Sequence, residues 1–516
     1  MVPSRARLWQ AAALLALALG AALRLWFIVH TRVLTGDTLL YGDIALSWMQ
    51  HGVYGFLQGD GDPLPTLIRL PGYPLFLMLS FRLFGPEHYT AVLNLQCLLD
   101  LLACLLLAAL VRRLFGTRPA LLALFLAALC PFTASYVAVP LTETLTCATI
   151  VLAFYALQRW RPQQRRRPQP PNSAPISRSA HPRSHWSPWN RWLWLLSATL
   201  AYSILLRPDQ ALLAVAILPA MLWLASFPSV SLDCHPERSA AKSKDLRLAA
   251  FPASAPLKFK QLLPPLAALL CLLLPFVPWT IRNARTFHVF QPLAPRSAAD
   301  PGEPVPTGFY RWYRSWAVDF SSTEDIYWKY DGATIQPADL PRRAFDSPAQ
   351  LAETVAILDA YNLAAEPTPT LDARFNQLAE DRIHAHPLRY YLALPLARLA
   401  NMLLRPRIEL FPIPLAWWRW HEHPRQTAFA LAYAALNLAY LVCGTLGLRR
   451  WLRRPNDPTK PIAWSMLAFV ALRCALLLTL DNSEPRYTME FFPILIIGIA
   501  YLLGHPETYP TTKLSS

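Results

Sequence analysis

Residues 8–29, LWQAAALLALALGAALRLWFIV, and residues 90–111, TAVLNLQCLLDLLACLLLAALV, are apolar runs in which Arg24 and Asp100 are the single charges. A helix rises about 1.5 Å per residue, so each run is long enough to cross a hydrocarbon layer of roughly 30 Å. Further apolar segments lie near 118–138, 141–158, 192–207, 208–227, 261–280, 426–447, 462–480 and 488–504. The reading is an all-α polytopic membrane protein with about ten crossings. Composition agrees, since 54% of the 516 residues are hydrophobic and only 16% charged, too apolar for a soluble chain of this length. The formal charge of +16 would suggest nucleic acid in a soluble protein, but the basic residues sit mainly in short loops between apolar segments. We therefore expect no nucleic-acid partner. Eight cysteines are present. Seven fall within apolar stretches and Cys234 in a basic loop, so neither a disulfide framework nor a metal-ligand spacing is implied.

Lysine and arginine set the expected sidedness. The stretch 159–191 holds Arg161, Arg165, Arg166, Arg167, Arg178 and Arg183 and no acid, while Arg112, Arg113 and Arg118 mark an earlier turn and Arg449, Arg450, Arg453 and Arg454 a later one. An amino terminus on the inner side puts all three inside, and 30–89, 139–141, 281–425 and 481–487 outside. The first run follows Arg5 and Arg7 and continues through Trp26 and Phe27, which reads as an uncleaved signal anchor. Residues 1–280 form a transmembrane module with first outer loop 30–89 and inner linkers 159–191 and 228–260. An outer region, 281–425, and carboxy-terminal spans, 426–516, follow. The expected location is the plasma (cell inner) membrane, crossed several times.

The first outer loop reads GDTLLYGDIALSWMQHGVYGF from Gly36. Leu39, Leu40, Ile44, Ala45 and Trp48 recur at helical spacing, which predicts an amphipathic helix at the membrane surface. Asp37 stands where a helix N-cap would, with Tyr41 one turn on and Asp43 six residues on. A capping role alone accounts for an Asp at that place. The loop continues through Arg69-Leu70-Pro71-Gly72-Tyr73-Pro74-Leu75-Phe76 to Phe84-Gly85.

That ordered set, an Asp after the first span, a Tyr four residues later, HGxYG, R-x-PGYPLF and FG, resembles the polyprenyl- or dolichyl-phosphate-mannose protein mannosyltransferase-like family of the GT-C class. Pro140-Leu141-Thr142-Glu143 is similar to that family's second acidic motif and Leu206-Arg207-Pro208 to its arginine-proline turn. Pro278-Trp279-Thr280-Ile281-Arg282-Asn283 and Glu484-Pro485-Arg486-Tyr487 are similar to its later motifs. The resemblance implies transfer of a sugar from a polyprenyl-phosphate-linked donor to a hydroxyl-type acceptor on the outer face. A hydroxyl attacking an anomeric carbon needs a carboxylate to take its proton, and the departing phosphate needs cations. Asp37 would be the base. Arg69, Arg282 and Arg486 are the candidates for the phosphate clamp, with Tyr41 and Tyr487 beside them. Asp43 and Glu143 are supporting acids that either orient the basic cluster, hold a cation with Asp37, or serve the fold. No metal or other cofactor is expected.

Other features keep two readings each. Asp100, Arg24 and Arg473 lie within apolar runs, where an ionisable group either serves function, is paired, or, for Arg, snorkels to the interface. The aromatic residues of 309–316 and 417–420 either stack on sugars or anchor at the headgroup layer. His384, His386, His421 and His423 are weak metal candidates. Residues 387–404 suggest a surface helix. The rival function is a transporter or flippase of a lipid-linked substrate, which would show repeated halves and a midplane site; a non-catalytic membrane assembly subunit is the third reading.

Overall fold

The computed structural model describes residues 5–59, 61–160, 190–226, 259–455 and 457–505. The Arg-rich run and the 231–256 insertion of the inner linkers lie outside them. The amino-terminal half consists of α1 (Arg5–His30), α2 (Gly36–His51), a hairpin of β1 (Gly55–Gln58) and β2 (Gly61–Pro65), α3 (Gly72–Phe84), α4 (Tyr89–Phe115), α5 (Thr117–Ala128), α6 (Pro131–Tyr136), α7 (Glu143–Trp160), α8 (Arg191–Leu206) and α9 (Ala211–Ser226). After the second linker come α10 (Phe259–Leu273) and α11 (Phe276–Phe287), then α12 (Thr307–Arg314), α13 (Phe320–Ser322), α14 (Pro348–Asn362), α15 (Pro369–Ala385) and α16 (Leu394–Leu404). The chain ends in α17 (Pro424–Arg453), α18 (Lys460–Leu477) and α19 (Phe492–Leu503).

Each of the ten apolar segments is helical. Six helices are long and apolar enough to cross a membrane, and shorter apolar helices stand beside them, among them α5 and α8. The segment expected over 118–138 is not one rod. It breaks at Cys130, whose extended backbone (φ −65°, ψ 109°) is what a residue before proline adopts, and restarts with Pro131 at the first turn of α6. The segment 261–280 bends likewise at Pro275, between α10 and α11. The membrane core packs α17 on α19, α4 on α5 and α7, α7 on α8, and α9 on α18. The first crossing is very close: a Cβ at Gly447 of α17 would lie 1.8 Å from the Gly498 carbonyl oxygen of α19. Small residues permit such approach where dispersion and not water drives helix association.

Arg24 does not snorkel. Its Nε donates to Asp100 Oδ2 at 2.7 Å and its Nη1 to the Ala128 carbonyl at 2.6 Å, so the two mid-span charges join α1, α4 and the end of α5. Residues 307–390 form a separate aromatic core. Phe309, Trp312, Tyr313 and Trp316 are at most 1% exposed there, packed with Tyr330, Tyr361 and Phe375. They are therefore unavailable to a sugar. Trp418 and Trp420 are exposed. Residues 389–393 form a π-turn that runs into α16, which buries Leu394, Arg398 and Met402 and exposes Leu396 and Leu404. Among the described residues no group of three His, Cys, Asp or Glu is placed to hold a metal.

Candidate active site

Helix α2 begins one residue earlier than a capping Asp37 would require. Thr35 is its N-cap: the Thr35 hydroxyl accepts from Thr38 N at 3.2 Å, and the Thr38 hydroxyl accepts from Thr35 N at 3.3 Å. Asp37 is thereby left in the first turn with its carboxylate free for other partners. Nor does α2 lie with one face free. Ala45 and Leu46 pack with Tyr73, Leu77 and Tyr89, Ile44 packs with Tyr54, Leu67 and Trp279, and Leu39 is exposed. The helix is held from two sides, which fixes the direction of Asp37.

Each Asp37 oxygen meets a different arginine. Arg69 Nη2 lies 3.0 Å from Oδ1, and Arg486 Nη2 lies 2.9 Å from Oδ2. Burial alone would raise the Asp37 carboxyl; the guanidiniums of Arg486 and Arg69 outweigh it and hold it down to about 2. Arg69 comes from the turn before α3, and that turn sits directly against the end of α8. A Cβ at Gly72 would lie 2.5 Å from the Leu205 carbonyl, so the glycine of PGYP is what allows the approach. The Arg69 guanidinium stands 5.8 Å from the centre of the Tyr41 ring, which meets Tyr73 edge-on. Burial pushes the Tyr41 phenol up to about 12, so it remains a donor at neutral pH.

Arg486 comes from a 3-10 turn, Pro485–Phe491, whose backbone is held from two sides. Arg407 Nη1 donates to the Pro485 carbonyl at 2.9 Å, and Arg473 Nη2 to the Tyr487 carbonyl at 3.0 Å. Tyr487 lies between two cations, with Arg207 and Arg486 each 5.6 Å from its ring centre. Beyond it, Arg207 Nη1 donates to Glu143 Oε1 at 3.2 Å, and Asp209 Oδ2 bridges Arg207 at 3.1 Å and Arg473 at 2.8 Å. Glu490 Oε2 accepts from Gln210 at 2.7 Å and pairs with Arg473 Nε at 2.6 Å. The other oxygen of Glu143, Oε2, is buried without a hydrogen-bond donor among the described residues.

Asp37, Arg69, Tyr41, Arg486, Tyr487 and Glu143 thus converge, although they come from α2, the turn before α3, the head of α7 and the turn before α19. Two sequence candidates stand elsewhere. Arg282 donates to the carbonyls of Thr66 at 2.7 Å and Tyr54 at 2.6 Å, with Tyr54, Trp279 and Phe287 around its guanidinium. It ties α11 to the hairpin, and its two carbonyl bonds keep it from the clamp. Asp43 accepts from Leu57 N at 3.1 Å and anchors β1. Arg207, Asp209, Arg473, Glu484 and Glu490 were absent from the candidate list. Arg207 and Glu484 stand inside quoted motifs and were legible as far as that. Arg473, by contrast, is a lone Arg near the end of an apolar run, and its inward direction appears only once α18 is packed.

A sequence model of the dolichyl-phosphate-mannose-protein mannosyltransferase family matches residues 65–167, an interval that includes Arg69, Gly72 and Glu143. No curated protein matches the chain significantly in sequence. Among solved structures the chain is similar to the archaeal oligosaccharyltransferase AglB from Archaeoglobus fulgidus in complex with an inhibitory peptide and a dolichol-phosphate. The identity is 12% and the TM-score 0.47, over 96% of this chain and 50% of that one. It is also similar to the Archaeoglobus fulgidus oligosaccharyltransferase tethered with an acceptor peptide, at 12% identity and TM-score 0.49, over 96% of this chain and 49% of that one. A third similarity is to ArnT from Cupriavidus metallidurans bound to undecaprenyl phosphate, at 16% identity and TM-score 0.38, over 93% and 77% of the two chains. The chain spans about half the length of the oligosaccharyltransferases. It is an all-α polytopic membrane protein that carries, over residues 65–167, sequence of the dolichyl-phosphate-mannose-protein mannosyltransferase family.

Proposed function

We propose that the protein is a membrane glycosyltransferase that moves a sugar from a polyprenyl-phosphate-linked donor to an acceptor hydroxyl on the outer face of the plasma membrane. The observation that carries the reading is the Asp37 carboxylate held by Arg69 and Arg486, two arginines distant in sequence, at the head of a helix fixed between the spans. Phosphate is the competitor such a pair of guanidiniums is suited to meet. In the reaction the acceptor oxygen forms a bond to the anomeric carbon as the bond from that carbon to the phosphate oxygen breaks. The acceptor proton passes to Asp37, and the electron pair leaves with the polyprenyl phosphate, whose charge Arg69 and Arg486 stabilise. Tyr41 and Tyr487 line this place, and Glu143 orients Arg207 behind it. The reading gives the phosphate to guanidinium groups and assigns no metal a part. No observation favours the transporter.

Asp37→Asn tests it, because the amide keeps the shape and removes the charge. Membranes containing the variant, supplied with labelled polyprenyl-phosphate mannose, should hold normal amounts of protein and transfer about 10²- to 10⁴-fold more slowly. Near-normal transfer would remove Asp37 from the chemistry.

A further inference from the structure

Glu484 is 3% exposed, and both its oxygens are engaged. Oε1 accepts from the Tyr487 hydroxyl at 2.7 Å and from Asn482 Nδ2 at 2.9 Å, while Oε2 pairs with Arg486 Nε. Arg486 therefore has one edge on Glu484 and the opposite end, Nη2, on Asp37. A guanidinium is planar and rigid, so fixing the Nε edge leaves it one soft motion, a swing of the Nη end. The backbone of the turn does not depend on this carboxylate, since Arg407 and Arg473 hold the carbonyls of Pro485 and Tyr487.

We propose that Glu484 is a positioning residue for the lipid-phosphate donor: it holds the Nε edge of Arg486 so that the Nη end passes from Asp37 to the donor phosphate about a fixed pivot. This rests on the reading that Arg486 meets that phosphate. Glu484 touches neither donor nor acceptor. Its carboxylate also keeps Arg486 from collapsing wholly onto Asp37, where a bidentate pair would occupy the guanidinium that the phosphate needs. Asp37 is, in this arrangement, the phosphate's competitor for Arg486, and Glu484 is its partner.

Binding of a polyprenyl phosphate to the full-length protein in detergent tests the proposal without any acceptor. Four proteins are compared with wild type: Glu484→Gln, Arg486→Gln, the double variant, and Asp37→Asn. Glu484→Gln should weaken binding by about ten- to a hundredfold, the range for a hydrogen bond to a charged group. Arg486→Gln should weaken it at least as much, and the double variant no further than Arg486→Gln alone, because Glu484 acts only through Arg486. Asp37→Asn should bind as tightly as wild type or tighter. Glu484→Asp, which keeps the charge one methylene short, should recover part of the loss. Losses that multiply in the double variant, or wild-type binding by Glu484→Gln beside weak binding by Arg486→Gln, would overturn the positioning role alone. Unchanged binding by Arg486→Gln would instead overturn the phosphate site itself. Monodisperse elution of Glu484→Gln beside its weakened binding supports positioning; an aggregated Glu484→Gln and a fully active, folded Glu484→Asp would assign the residue to the fold and overturn it.

Discussion

The carboxyl of Asp37 is held at about 2 in the free protein because Arg486 and Arg69 outweigh the effect of burial. A carboxylate so acidic is a poor base, and it becomes a better one only when something draws the arginines away. In the proposed reaction that is the donor phosphate, so Asp37 should take up protons more readily in the donor complex than in the free enzyme. The acid limb of kcat/KM reports the free enzyme and that of kcat the complex. The limb in kcat should therefore lie at the higher pH, and a rate profile for both constants at acid pH checks it; coincident limbs would mean that the arginines stay on Asp37. The same ion pairs affect the fold with a definite sign. A depressed carboxyl contributes stability that is present above its ordinary value near 3.8 and is lost as pH falls toward about 2. Arg69→Gln should reduce that acid sensitivity along with donor use.

Among the elements, α19 has a particular burden, because it follows directly on the turn that carries Arg486. Its depth against α17 is set where Gly447 and Gly498 meet. A side chain at 447 has no room, since even its Cβ would stand 1.8 Å from a carbonyl oxygen. Gly447→Val should cost about 1–3 kcal/mol or more through overpacking and shift the turn with the helix, so that both thermal stability and transfer fall. Gly36→Ala is the comparison. No atom stands within 4 Å of a Cβ there, and thermal unfolding in detergent should be unchanged or slightly improved. Equal stability of the two variants would show that the α17–α19 crossing tolerates separation. Helix α2 shows the same dependence on packing: its period suggested one apolar face, yet its buried positions serve two neighbours, the α3–α4 side and the Tyr54–Trp279 side.

For the whole molecule, the distribution of arginines predicts that the hairpin and residues 281–425 share one side of the membrane and the linkers the other. The active-site reading depends on this, since Arg69 precedes α3 and Arg486 precedes α19. In a background freed of the native cysteines, Gly59→Cys at the hairpin tip and Leu363→Cys, 89% exposed after α14, should react with an impermeant maleimide added to intact cells. Cysteines at 173 and 239, outside the described residues, should react only after lysis. Labelling of the second pair in intact cells would put the Asp37 cluster on the other face.

The amino-acid sequence by itself determined that the chain is helical and membrane-embedded, because long uncharged runs have no other stable arrangement than helices in lipid. It also marked Asp37, Arg69, Glu143 and Arg486, since each stands in a short motif with Pro, Gly or aromatic neighbours. Partnership was beyond it. Arg282 and Arg69 look alike as outer-face arginines after an apolar run, yet Arg282 is used up by the carbonyls of Tyr54 and Thr66 while Arg69 reaches Asp37. Arg473 resembles a snorkelling residue, and Phe309 to Trp316 a sugar platform, until packing turns the first inward and encloses the second. Hydropathy reports whether a residue favours lipid or water. Which charge meets which is decided by crossings such as Gly447 on Gly498 and Gly72 on Leu205, where a few tenths of an ångström depend on side chains far apart in the chain.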